Sequence, residues 1–175
     1  FVVGPIKNEE IIQQAFALAK SLGDLSLQGA AAAVLGWDNR DSKRAFAYRE
    51  QAVALFRQAG DWRNLAINLS ELGFFRLLHG DLESAQKHLD ASSSLFQKLN
   101  IKVRKGHLLT AHGQIALLRG DYGQAYDYYQ ENVRIAQESG SWMDYLWAKV
   151  RLGYVEMQMG NLADAHEIFI ETILN

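Results

Sequence analysis

A chain of 175 residues is of one-domain length and can bury a sizeable core. Its 49% hydrophobic and 22% charged residues exclude a disordered chain, and a formal charge of −2 excludes the basic footprint of a nucleic-acid binder. The absence of cysteine excludes disulfides and thiolate chemistry and fits a reducing, cytoplasmic setting, and no apolar run approaches the roughly 20 residues that span a bilayer.

Taken from the start, FVVGPIKNEE has no methionine and no apolar core of the kind a signal peptide carries. Asn8 is the expected N-cap of a first helix, with Glu9 and Glu10 well placed in its first turn. Ile11, Ile12, Ala15, Phe16, Ala19 and Leu22 then recur at helical spacing, Gly23 closes that helix, and Asp24 is placed to cap the next. Leu25–Gly36 is alanine-rich, which lets a neighbouring helix come close. The link Trp37-Asp38-Asn39-Arg40 is short: four residues separate Gly36 from Asp41, where seven separate Gly73 from Asp81. An irregular first repeat is the expectation there.

From Asp41 onward one pattern returns every 40 residues. Leu72–Ala85, LGFFRLLHGDLESA, comes back as HGQIALLRGDYGQA from His112 and as LGYVEMQMGNLADA from Leu152. Asp41, Asp81, Asp121 and Asn161 are placed as N-caps, and Ala45, Ala85, Ala125 and Ala165 follow four residues on, where two helices must cross closely. Arg49, Leu89, Tyr129 and Phe169 come four residues later, the last three as interhelix filler. Gly60, Asn100 and Gly140 end these helices, being residues that tolerate positive φ, and the partner helices run to Gly80, Gly120 and Gly160. Gly73, Gly113 and Gly153 lie inside the partner helices, where glycine costs about 1 kcal/mol against alanine. Three in register predict close approach of a neighbouring helix.

The predicted elements are helices over 8–22, 24–37, 41–59, 61–79, 81–99, 101–119, 121–139, 141–159 and 161–174, with no strand. ADAHEIFIETILN stops inside a predicted helix, and Ile168, Phe169, Ile173 and Leu174 do not make a polar cap, so the expectation is a piece of a longer protein.

The offsets of Gly73, Gly80, Ala85 and Leu89 resemble the tetratricopeptide repeat, and Gly113, Gly120, Ala125, Tyr129 and Gly153, Gly160, Ala165, Phe169 match at the same spacing. The likeness covers about 24–175. Departures are the length of 40 rather than 34 residues, Leu69, Leu109 and Lys149 at the family's tryptophan position, Ser92, Asn132 and Thr172 at its second alanine, and the missing proline. The resemblance implies an all-α, right-handed α-solenoid of antiparallel helix hairpins. It forms a single array over 1–175: a partial repeat helix at 1–23, then repeats at 24–60, 61–100, 101–140 and a truncated 141–175. Phrases such as ALFRQAGDWRNLAINLSELG also look like the lengthened sensor arrays of bacterial LuxR- or AfsR-type regulators and signal-transduction ATPases, with kinesin light chains and peptide-pheromone receptors as other bearers of long repeats.

Catalytic signatures are missing: there is no Gly-x-x-x-x-Gly-Lys loop, no His-Glu-x-x-His and no Gly-x-Ser-x-Gly. His107 and His112 are five apart and do not share a helix face, so no metal or cofactor is expected. The basic cluster Lys102, Arg104 and Lys105 reads as a solvated face. A surface remains. In the family the first helix of each pair lines the concave side, and the positions carried over are Trp37 (with Ala30 and Ala33), Ile67, Ser70, Phe74, His107, Thr110, Gln114, Trp147, Val150 and Tyr154. The lysine and asparagine with which chaperone-binding members clamp a terminal carboxylate are not at these positions. The expected groove is aromatic at both ends and polar in the middle, suited to an apolar or amphipathic peptide. Trp62 and Trp142 are expected in inter-repeat packing, and Tyr122, Tyr126, Tyr128 and Tyr129 in core and convex surface. The reading is a non-enzymatic module for a protein or peptide partner, an arm of a larger bacterial regulator. Small-molecule sensing and self-association through the apolar terminal helices are the alternatives.

Overall fold

The computed structural model describes residues 5–38, 42–101 and 104–174. Among these every element is an α-helix: α1 (Pro5–Ser21), α2 (Leu25–Asp38), α3 (Ser42–Ala59), α4 (Trp62–Leu78), α5 (Leu82–Lys98), α6 (Lys105–Arg119), α7 (Tyr122–Ser139), α8 (Trp142–Gln158) and α9 (Leu162–Leu174). Consecutive helices pack against each other, most extensively within the pairs α2–α3, α4–α5 and α6–α7, while α8 packs on both α7 and α9. Across pairs, α4 also touches α6 and α6 touches α8, an approach the second helices do not match among the described residues. The first helices therefore form an inner layer and the second helices an outer one. This is an α-solenoid.

Local chemistry explains the corners. Gly120 sits at φ +79°, where its missing Cβ removes the left-handed penalty, and its N–H and that of Asp121 close on the carbonyls of Leu117 and Ala116. Gly80 and Gly160 repeat that corner, and Asn100 takes a positive φ of 53° between α5 and α6. Carboxylates then cap the next helix. Asp81 accepts the Ser84 N–H at 3.1 Å, Asp24 that of Leu27 at 2.9 Å, and Asp121 that of Gln124 at 3.4 Å. Asp61 does the same for Asn64 at 3.1 Å, a cap the repeat comparison passes over. Two expectations need correcting. Asn161 does not cap with its side chain, which instead donates to Glu156 at 2.7 Å. Asn8 lies inside α1, because the helix already begins at Pro5, whose fixed φ suits a first helical position. Asp41 and Lys102 fall outside the described residues, as do Asn39 and Arg40.

The interior glycines are where helices cross. A Cβ on Gly73 would lie 2.8 Å from Leu89 Cγ, one on Gly113 2.7 Å from Tyr129 Cε1, and one on Gly153 2.8 Å from Phe169 Cε1. Each glycine thus receives the large residue sixteen positions on, and Ala45, Ala85, Ala125 and Ala165 are all buried beside the crossing. In the shortened first pair α2 stops two residues past Gly36, yet the same contact is made: Arg49 Cγ would sit 2.8 Å from a Cβ there. The Arg49 guanidinium is laid between the rings of Trp37 and Phe75, 5.1 and 4.6 Å from their centroids. The core runs along the array in three clusters, around Phe56 and Leu69, around Leu89 and Ile115, and around Tyr129 and Val155.

Candidate functional site: the inner groove between α6 and α8

The crossing of α6 over α7 sets the floor of the site. With Gly113 pressed on Tyr129, the residues of α6 on either side of that contact face α8 across the inner layer. Gln114, Trp147, Val150 and Tyr154 come together there, with Leu117, Leu118, Tyr122, Tyr129, Arg151 and Gln158, around a cleft of about 450 Å³. Trp147 also lines a second cleft, of about 430 Å³, into which His107 and Thr110 open beside Arg104, Asn132 and Asp144. Six of the ten residues carried over from the repeat pattern therefore share two adjoining clefts, with Trp147 as the common wall. Trp147 keeps 59% of its surface exposed and Tyr154 43%, large values for aromatic side chains in a packed array. The polar residues of α6 are held in place. Asn132 donates to Thr110 Oγ1 at 2.9 Å, and Arg151 donates to Gln114 Oε1 at 3.1 Å.

The remaining four lie elsewhere. Phe74 is half-buried and stacks on His107 with centroids 5.1 Å apart, which extends the surface toward α4. Ile67 is half-buried against the core of the second repeat. Trp37 is exposed on α2, under the Arg49 guanidinium and remote from α8. Ser70 does not line the groove: it is fully buried, donating to the Ile67 carbonyl at 2.7 Å and accepting from Arg104 at 3.2 Å. The reason is the backbone of Arg104, whose φ of 75° turns its side chain back onto Ser70 and onto Glu71, with which it forms an ion pair at 2.5 Å. Arg104 is therefore not a solvated charge, and Lys105 pairs with Glu131 at 2.9 Å. Hydrogen-bonded by Arg134 and, to a lesser degree, by Lys105, the Glu131 carboxyl is lowered to about 2.

Trp62 and Trp142 are about half exposed rather than packed between repeats, and Trp142 stacks on Tyr145 of its own helix with centroids 5.8 Å apart. Both stand at the first position of a helix, ahead of the layer their neighbours bury. Tyr129 is fully buried, with Tyr122, Tyr126 and Tyr128 partly buried around it, as expected of core and outer surface. Arg151 and Tyr129, like Leu117, Leu118, Tyr122 and Gln158, are cleft residues not singled out for the surface by the repeat pattern. The one signal was that Arg151 directly follows Val150, a carried-over position.

His112 lies on the other side of α6. It is buried, stacked on Tyr128 at 5.5 Å, and in contact with Gln86 and Ser93. Burial holds its imidazole below the ordinary value, and the Asp90 carboxylate 3.9 Å away only partly opposes this. A lowered folded value means that its contribution to stability is complete above the unfolded value near 6.5 and is lost as pH falls through the folded one. Urea titrations should therefore show stability declining below about pH 6.5, with His112→Gln removing part of the decline. An unchanged slope in that variant would refute the assignment.

No family model matches the chain, and no curated protein matches it. Solved structures do. BtubC (BKLC) from P. vanneervenii superposes with a TM-score of 0.88 at 18% identity, over 96% of this chain and 71% of that one. A putative kinesin light chain from Podosopora anserina, described as nearly identical TPR-like repeats, superposes at 0.70 with 16% identity, over 97% of this chain and 86% of that one. The fold is a tetratricopeptide-like solenoid. At such identities the likeness is one of fold, and the groove must be read from its own residues. Among the described residues no three His, Asp or Glu side chains come together to hold a metal, and no helix is long and apolar enough to cross a membrane.

Proposed function

We propose that this chain is a non-enzymatic protein-interaction module that holds a peptide segment of its partner in the inner groove between α6 and α8. The observation that carries this is the pair of adjoining clefts that share Trp147, apolar toward Tyr154 and polar toward His107 and Thr110. Together they make a continuous trough along the inner layer, long enough for several residues of an extended chain or one face of a helix. Exposed aromatic side chains at its centre supply rigid apolar area, which is how a few residues come to dominate a peptide interface. The reading extends to context: a tetratricopeptide-like array with a groove of this kind suits the sensor or scaffold arm of a larger cytoplasmic regulator.

Screening on a peptide array should recover binders whose capture falls tenfold or more in Trp147→Ala and Tyr154→Ala, with Lys87→Ala on the outer helix α5 as control. Full retention by both groove variants would overturn the reading. A second reading has its own observation. The cleft beside Tyr154 has the size of a metabolite pocket, and thermal stabilisation by one member of a metabolite panel, abolished in Trp147→Ala, would favour small-molecule sensing instead.

A further inference from the structure

We propose that the outer cleft between α5 and α7 binds a small neutral carbonyl compound, whose oxygen accepts the Ser93 hydroxyl proton while its apolar body rests on Phe96, Leu108 and Tyr128. The site is separate from the inner groove and does not depend on the peptide reading given above.

The internal repeat shows what is unusual here. Phe46, Val53 and Leu72 pack together in the core cluster around Phe56. Tyr126, Val133 and Leu152, at the same register two repeats on, pack together in the cluster around Tyr129. Between them, again at that register, stand Gln86, Ser93 and His112, three polar residues in place of three apolar ones. A cleft of about 530 Å³ opens beside them, where α5 and α6 pack least closely of the consecutive helices among the described residues. Its floor is apolar, since Phe96 and Leu108 are buried parts of the core, and Tyr128 forms a wall.

The three polar residues form a chain with a direction. Gln86 Nε2 lies 2.9 Å from the Asp90 carboxylate and 3.2 Å from His112 Nδ1. A carboxylate only accepts, so the atom facing it is the amide nitrogen, whose second N–H is given to Nδ1. Burial favours the neutral imidazole, which therefore carries its proton on Nε2 and turns it to Ser93 Oγ at 3.4 Å. Accepting there, the Ser93 hydroxyl keeps its own proton to donate, and no acceptor for it is found among the described residues. Ser93 is half-buried and lines the cleft, within reach of a ligand. Charge narrows the class further. Asp90 at the rim repels an anion, and Lys105, the cation of the lining, is tied to Glu131 at 2.9 Å. A carbonyl oxygen on an apolar frame meets both requirements.

The probe is acetophenone, with α-methylstyrene as the same shape without the oxygen. Both are titrated by NMR against the wild-type chain, Ser93→Ala, Ser93→Val and Ser93→Thr. Valine and threonine share a shape, and only threonine keeps a hydroxyl. The ratio of ketone to alkene affinity should fall about fivefold in Ser93→Ala and Ser93→Val, the effect of one neutral hydrogen bond, and hold in Ser93→Thr. Taking the ratio cancels the desolvation of each probe. Ser93→Val should keep or raise the thermal midpoint, because valine fills this position in both neighbouring repeats, so its loss of preference is not a folding defect. In the wild type the ketone should shift the amides of Ser93, Leu109 and Tyr128 and leave the Trp147 indole N–H unmoved. A ratio that survives Ser93→Val, or that falls as far in Ser93→Thr, overturns the proposal. So does tighter binding of 1-phenylethylamine than of acetophenone that disappears in Asp90→Asn, which would make the ligand a cation. Ketone binding lost in Trp147→Ala would place the probe in the inner groove, overturning the outer site and leaving the groove reading intact.

Discussion

Tyr129→Ala should lower the stability of the chain by about 3–5 kcal/mol, the range for truncating a large aromatic side chain in a close-packed core. Tyr129 is fully buried, belongs to the cluster joining α6, α7 and α8, and rests its ring on the backbone of Gly113. Gly113→Val should cost about 2–3 kcal/mol by the opposite route. Its Cβ would lie 2.7 Å from the Tyr129 ring, and a planar ring enclosed on all sides has no low-energy rotamer to move into. The gain in helix propensity over glycine, below 1 kcal/mol, does not offset this. Because one variant empties the space that the other overfills, the double variant Gly113→Val, Tyr129→Ala should lose clearly less than the sum of the two. Urea denaturation of the four proteins tests this as a cycle, and strict additivity would show that the two residues do not share a crossing. The same result would also weaken the groove, since the crossing sets the height of α6 beneath it.

The second large effect is expected at the junction of α5 and α6. Glu71→Ala should destabilise by about 2–3 kcal/mol, less than the loss typical of a fully buried pair because the Arg104 side chain keeps about a third of its surface in water. Removing the carboxylate leaves Arg104 with only the Ser70 hydroxyl to meet its charge, while its backbone is still held at positive φ. Ser70→Ala, which removes a neutral partner, should cost about 1 kcal/mol or less. Equal losses for Glu71→Ala and Ser70→Ala in thermal unfolding would argue that the ion pair contributes nothing beyond a neutral contact. The relation bears on the site as well, because Arg104 also lines the cleft shared by His107 and Trp147.

Much of the architecture was legible from spacing. A glycine inside each first helix, a second glycine seven residues on, then a cap and an alanine, repeat in register because each is demanded locally. The first must admit a side chain from sixteen residues on, the second must take positive φ, and the third and fourth begin a helix that crosses at short range. These are contacts of near neighbours, so a one-dimensional pattern records them. Six carried-over positions also converge on adjoining clefts, since helical periodicity alone sets which side of α6 and α8 faces inward.

What failed to show in the pattern depends on how one repeat sits on the next. Ser70 occupies a groove position by register but is covered by Arg104, which reaches back from the following helix. Trp62 and Trp142 have the composition of packing residues and the placement of exposed ones, because the layer that would cover them begins a turn later. Tyr129 reads as interhelix filler, and it is that, but the crossing also buries its hydroxyl beside the Arg151 guanidinium.

By itself, then, the amino-acid sequence determined the helices, their corners, the glycine crossings and the all-helical repeat, because each rests on interactions within some twenty residues of chain. The tertiary structure alone decided which polar groups on adjacent repeats find partners and which do not. Arg104 meets Glu71, whereas Arg151 meets Gln114 and stands beside the Tyr129 hydroxyl, a difference set by the stacking distance and angle between hairpins, which no single repeat encodes.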